Sequence, residues 1–86
     1  MTIFNLKDKS ILITGSSRGI GKSIAHQCAL HGANVIISSR KINACETAAD
    51  EINSEVGAEV AFPIAANISD ENQLKELVSL TREKLG

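Results

Sequence analysis

The 86-residue sequence contains no Trp and no Tyr, two Phe, one Pro and two Cys. With so few aromatic rings the core has to be aliphatic, and a stacking surface for nucleic-acid bases is not expected. Cys28 and Cys45 lie far apart, have no companion cysteine and fall on apolar positions of helical patterns, so they read as small buried hydrophobes. His26 and His31 have no Cys, Asp or His at ligand spacing, read as surface residues, and no metal site is expected. No apolar run exceeds three residues. The opening Met-Thr-Ile-Phe-Asn-Leu-Lys-Asp-Lys has no signal-peptide core, so nothing suggests export or membrane insertion, and the cytoplasm is the expected compartment.

What is present is a small globular composition, 43% apolar with a formal charge of −1. That suits a single unit, residues 1–86, near the lower limit for burying a useful core. The charge is unevenly spread: residues 1–41 hold six bases and one acid, residues 42–86 three bases and nine acids. The bases surround a glycine-rich stretch, which fits a small anionic ligand better than a nucleic-acid backbone. Lys7 and Lys9 precede the first strand and belong at its far end, away from any such site.

The chain alternates strand and helix signals. Ser10 to Thr14 is apolar without alternation, as in a parallel strand covered on both faces. Gly15 ends it, and from Gly19 the residues Ile20, Ile24 and Cys28, flanked by Ala25 and Ala29, predict the buried face of a helix that stops at Gly32. Val35-Ile36-Ile37 is a second strand, ending in Ser38-Ser39-Arg40-Lys41. A second helix begins near Asn43, buries Cys45, Ala48, Ala49, Ile52 and Val56, and closes at Gly57. The third strand, Glu59 to Ala66, contains Pro63, which cannot donate to a ladder and so belongs on a sheet edge. Ser69 or Asp70 caps a last helix, with Leu74, Leu77, Val78, Thr81 and Leu85 on its buried side. The expected fold is α/β: β-α-β-α-β-α with right-handed crossovers, part of a doubly wound parallel sheet of strand order 3-2-1.

The chemistry lies in Ser10-Ile-Leu-Ile-Thr-Gly-Ser-Ser-Arg-Gly-Ile-Gly-Lys-Ser23, which reads as strand, phosphate loop, helix. Gly21-Lys22-Ser23 matches the second half of a nucleoside-triphosphate P-loop, but the loop from Gly15 has five intervening residues where that motif has four. Lys22 is then an exposed helix residue. A site for unphosphorylated NAD would want an acidic residue after the second strand. Ser39 and Arg40 stand there instead, and a guanidinium offers a 2′-phosphate a planar fork of donors.

Thr14-Gly15-x3-Gly19-Ile20-Gly21 resembles the Thr-Gly-x3-Gly-Ile-Gly signature of the short-chain dehydrogenase/reductase family, a Rossmann-like family. Phe4-x-Leu6-x-x-Lys9 resembles that family's entry into its first strand, and Ala66-Asn67-Ile68-Ser69-Asp70 its adenine-side stretch. The Ser39-Arg40 strand end points to NADP(H) in preference to NAD. By the resemblance, Gly15, Gly19, Ile20 and Gly21 would present backbone to the diphosphate, Arg18 and Arg40 would bracket the 2′-phosphate, Ser16, Ser17 and Ser39 would supply hydroxyls, and Asn67 with Ile68 would border the adenine. Where the family commonly has Asp, this chain has Asn67. Plainer readings stand beside these: solvated arginines, serines that only shape a turn, and an Asn67 that turns or caps the chain before the last helix.

The family transfers hydride with a Tyr assisted by a Lys four residues later. This chain has no Tyr, so it carries no catalytic residue of that kind and should be inactive alone. The resemblance implies a piece of a longer oxidoreductase acting on a carbonyl or secondary alcohol. The alternative is a non-catalytic nucleotide-binding or assembly fragment. With order 3-2-1, the first strand would be left with an open edge, so self-association is expected, or a homo-oligomer of a full-length protein.

Overall fold

The computed structural model describes residues 7–85. Phe4 and Leu6 of the strand-entry pattern lie outside the described residues. The order of elements is β1 (Ser10–Thr14), α1 (Gly19–Leu30), β2 (Asn34–Ser39), α2 (Ile42–Val56), β3 (Ala61–Ala65) and α3 (Glu71–Leu85). The three strands form one parallel sheet ordered β1-β2-β3, the same run of neighbours as 3-2-1 counted from the opposite edge. Pro63 sits on β3, an edge strand. The amide of Ala66 donates to Ser39, so by alternation the ring nitrogen of Pro63 faces outward and no ladder bond is lost.

β2 is buried on both faces, and its side chains alternate between two cores. Val35 and Ile37 join Ala25 and Ala29 of α1 and Cys45, Ala48, Ala49 and Ile52 of α2. Ile36 points the other way, toward Leu77 of α3, with Leu12, Phe62 and Ile64 around it. Helices therefore cover both faces of the sheet.

Three features differ from the sequence reading. The Ile20-Ile24-Cys28 row is not the buried face of α1: Ile20 is 81% and Ile24 49% exposed, while Ala25 and Ala29 are buried. Small side chains let the helix lie close on the sheet, and that contact outweighs the larger apolar row beside it. On α3, Leu77 is buried but Leu74 and Val78 are exposed, because the helix touches the sheet along a narrow line at Ile36, Phe62 and Ile64. The third strand is shorter than Glu59 to Ala66. Before it begins, the Asn53 carboxamide accepts from the amides of Val60 (2.8 Å) and Ala61 (2.7 Å) and donates to the Ala61 carbonyl (2.9 Å).

The helix ends follow their capping residues. Gly57 adopts φ +80° after α2 and its amide bonds Asn53 O, a left-handed stop that favours glycine. Asp70 caps α3 by accepting from the amides of Asn72 and Gln73.

Candidate functional site

The carboxyl ends of the three strands converge on one crevice of about 240 Å³, bordered by Thr14, Gly15, Ser38, Ser39, Arg40, Ala66, Asn67 and Ile68. That is where an open parallel sheet places its ligands, outside the strand ends where successive crossovers leave a gap. Its volume is below the roughly 300–1,000 Å³ of a typical small-molecule pocket.

Gly15 and Gly19 adopt φ of +65° and +64°, and a Cβ at either would meet nothing within 4 Å. The left-handed backbone demands glycine there, and the space above it is open for a ligand. Gly21 is required for a different reason: a Cβ there would come within 2.5 Å of the Gly15 carbonyl oxygen. The first turn of α1 thus packs onto the end of β1. Arg18 precedes α1 without a side-chain cap, and there is no acidic residue in the first turn. The bare amides and the positive end of the helix dipole therefore face the loop, the arrangement that binds phosphate.

Ser16 is the exception among the candidate donors. It is fully buried, its hydroxyl donates to Ile13 O at 2.6 Å and accepts from the Ser38 amide at 2.9 Å. The hydroxyl proton goes to Ile13 O, so in this structure Ser16 holds β1 and β2 together. Ser17 is half-buried and Arg18 exposed. Both border a second depression with Asn43 and Thr47 at the start of α2. Arg40 borders the first crevice. Among the described residues neither Arg18 nor Arg40 has an ion-pair partner, so both guanidinium groups are available to an anion.

Ser39 turns its hydroxyl toward α2, 3.1 Å from Cys45 Sγ, and the Lys41 amide donates to it at 3.3 Å. Asn67 has a local duty as well: its Oδ1 accepts from the Ser69 amide at 3.0 Å, and its own amide donates to Gln73 Oε1 at 2.8 Å. The turn reading of Asn67 is thus realised, with its carboxamide still on the crevice wall. Ile68 is half-exposed beside it.

Lys22 is not free to serve a triphosphate, because it pairs with Glu51 of α2. One turn on, His26 Nε2 lies 2.7 Å from Glu55 Oε2. His26 is half-buried and lies against a carboxylate, unlike the plain surface residue that its sequence suggests. Both cysteines are free thiols, Cys45 buried and Cys28 half-buried. Among the described residues no three His, Cys, Asp or Glu side chains gather as a metal site, and no helix is long and apolar enough to cross a membrane.

The sequence reading missed Ser38 and Asn53. Ser38 looked like one more strand residue, and only the sheet's geometry places it at the crevice. Asn53 lies in a helix, where nothing in the pattern tells of a strand waiting for its carboxamide.

Comparison with known proteins agrees with this geometry. The family model described as short chain dehydrogenase matches residues 9–86. Hydroxysteroid dehydrogenase-like protein 2 of Mus musculus is 37% identical over 84 residues, covering 90% of this chain and 17% of the mouse protein. The uncharacterized oxidoreductase YvaG of Bacillus subtilis is 38% identical over 73 residues, covering 85% of this chain and 28% of its own length. Among solved structures, a short-chain type dehydrogenase/reductase from Mycobacterium marinum superposes with a TM-score of 0.90 at 37% identity, covering 98% of this chain and 33% of that one. A hydroxysteroid dehydrogenase from Escherichia coli gives 0.88 at 36%, covering 95% of this chain and 34% of that one. The chain thus spans about a third or less of the proteins it resembles.

Proposed function

The chain belongs to the short-chain dehydrogenase family, and from that membership we propose that it carries the adenosine and diphosphate half of an NADP(H) site, in an oxidoreductase acting on a carbonyl or a secondary alcohol. One observation carries the choice of cofactor: Arg40, without an ion-pair partner among the described residues, stands on the crevice that Gly15 opens into, where an NAD site would want an acid. Gly15, Gly19, Ile20 and Gly21 would offer backbone amides and space to the diphosphate. Arg40 and Arg18 would meet the 2′-phosphate, Ser17 and Ser39 the ribose, and Asn67 and Ile68 the adenine. Ser16 would contribute by tying the glycine loop to β2.

The cofactor, when bound, supplies or accepts the hydride. This chain's part is to bind and orient it, since the Tyr that the family uses for proton transfer is not among its residues. The activity therefore belongs to a polypeptide that supplies that Tyr and its Lys. Two free thiols suit a reducing compartment, and the proposed location is the cytoplasm. Association through the open edge of β1 completes the reading.

The test is a titration of the 86-residue chain with NADPH and with NADH, followed by cofactor fluorescence. Saturable binding that favours NADPH is expected, and a folded sample that binds neither would overturn the proposal. Arg40→Asp should shift the preference toward NADH by about tenfold to a hundredfold, since a hydrogen bond to a charged group contributes about 1.5–3 kcal/mol. Equal losses for the two cofactors would remove Arg40 from the 2′-phosphate site.

A further inference from the structure

β2 ends in two serines that the sheet turns to opposite faces. Ser39 follows Ile37 toward α2, where its hydroxyl meets Cys45. Ser38 follows Ile36 toward the α3 face, where Ile36 packs with Ala66. Ser38 is 1% exposed. Its backbone is fully used by Ser16, the amide donating to the Ser16 hydroxyl and the carbonyl accepting from the Ser16 amide. Its own hydroxyl oxygen is buried with no hydrogen-bond partner among the described residues.

Buried hydroxyls are rarely left unpaired, because the lost hydration is not recovered. The fold gives no reason for one here: alanine at position 38 would fill the same place in the sheet and leave nothing unsatisfied. The same residue borders the crevice with Gly15, Arg40, Ala66 and Asn67. We propose that Ser38 is a ligand-binding residue, whose hydroxyl hydrogen-bonds the adenosine part of the nucleotide held in that crevice. The inference rests on the dinucleotide reading above and adds to it a residue whose polar group has no other use.

The chemistry suits the task. A serine hydroxyl both donates and accepts, so it pairs with a ribose oxygen or with a ring nitrogen of the base. It carries no charge, so it gives no preference for a 2′-phosphate. Its position depends on one torsion with three staggered wells, so the oxygen can reorient without moving the backbone.

Ser38→Ala in the 86-residue chain separates this role from a structural one. Binding is measured by calorimetry with AMP, 2′,5′-ADP, NADH and NADPH, and thermal unfolding is followed without ligand. All four ligands should lose affinity by a common factor of about fivefold to tenfold, the scale of one neutral hydrogen bond, while the Tm of the free chain rises. Ser38→Cys, which keeps a weaker donor, should fall between. Unchanged affinities overturn the inference, and so does a loss confined to the ligands with a 2′-phosphate or one accompanied by a lower Tm. If Arg40→Asp leaves the NADPH preference intact while Ser38→Ala weakens all four, only the 2′-phosphate reading falls. A folded wild-type chain that binds none of the four refutes both.

Discussion

One hydroxyl at Ser16 closes the end of the β1–β2 ladder. The Ser38 amide would ordinarily donate to the Ile13 carbonyl, but the loop splays the strands, and Ser16 Oγ stands between them, donating to one and accepting from the other. Ser16→Ala would remove both bonds and leave a buried amide unpaired. We expect a loss of about 1–3 kcal/mol in stability, read from the urea midpoint, and in consequence a less ordered glycine loop. Ser17→Ala, with a half-buried side chain that bonds nothing in the fold, should leave the midpoint unchanged. Two adjacent serines thus differ in the fold: Ser16 is tied into the sheet and Ser17 is not. Their identity in the sequence could not separate them, since the difference arises from which side of the turn faces β2. The left-handed backbone at Gly15 and Gly19 and the place of Arg40 at the crevice were legible because they follow from residue type and spacing: only glycine is at ease at such φ, and Arg40 directly follows the second strand.

At the scale of elements, the strand and helix order, the parallel sheet and the edge position of Pro63 all follow from local pattern. Which helix face is buried does not. α1 carries an isoleucine row and an alanine row side by side, and the sheet takes the alanines because closer approach buries more of its own Val35 and Ile37. Hydrophobicity ranks residues but does not measure the gap that they must fill. The start of β3 illustrates the same limit, because it is set by a residue of the preceding helix. Asn53 gives its carboxamide to Val60 and Ala61, holding the chain until it reaches β2. Asn53→Ala should cost about 2–3 kcal/mol, the sum of three modest net hydrogen bonds. Asn53→Asp keeps an acceptor for both amides but sets a carboxylate oxygen against the Ala61 carbonyl; the two retained, charge-assisted bonds outweigh that one contact, so it should cost less. A urea denaturation series over the two variants checks the ranking, and equal costs would show that packing of α2, not the carboxamide, sets the boundary.

For the molecule as a whole, the two edges of the sheet are unequal. β3 presents Pro63 outward, with no amide to offer another strand. β1 has no such protection. The Asn34 amide donates to Lys9 O, so by alternation Ile11 and Ile13 bond β2, and Ser10, Leu12 and Thr14 turn their amides and carbonyls to the open side. That row is self-complementary. Two copies placed antiparallel about Leu12 pair each Leu12 with its counterpart and each Ser10 with a Thr14, satisfying every outward group between them and joining two three-stranded sheets into one of six. Ile20 and Ile24 of α1 add exposed apolar surface to the molecule. We therefore expect the 86-residue chain to dimerise as its concentration rises, with the Leu12 amide becoming protected from hydrogen exchange in step. Leu12→Pro should abolish both while leaving the fold intact, because the lost amide belongs to no bond with β2 and β1 becomes an edge like β3. Light scattering coupled to size exclusion gives the mass. A dimer that survives Leu12→Pro would place the contact elsewhere, and a wild-type chain that stays monomeric at millimolar concentration would show that the open edge is quiet on its own.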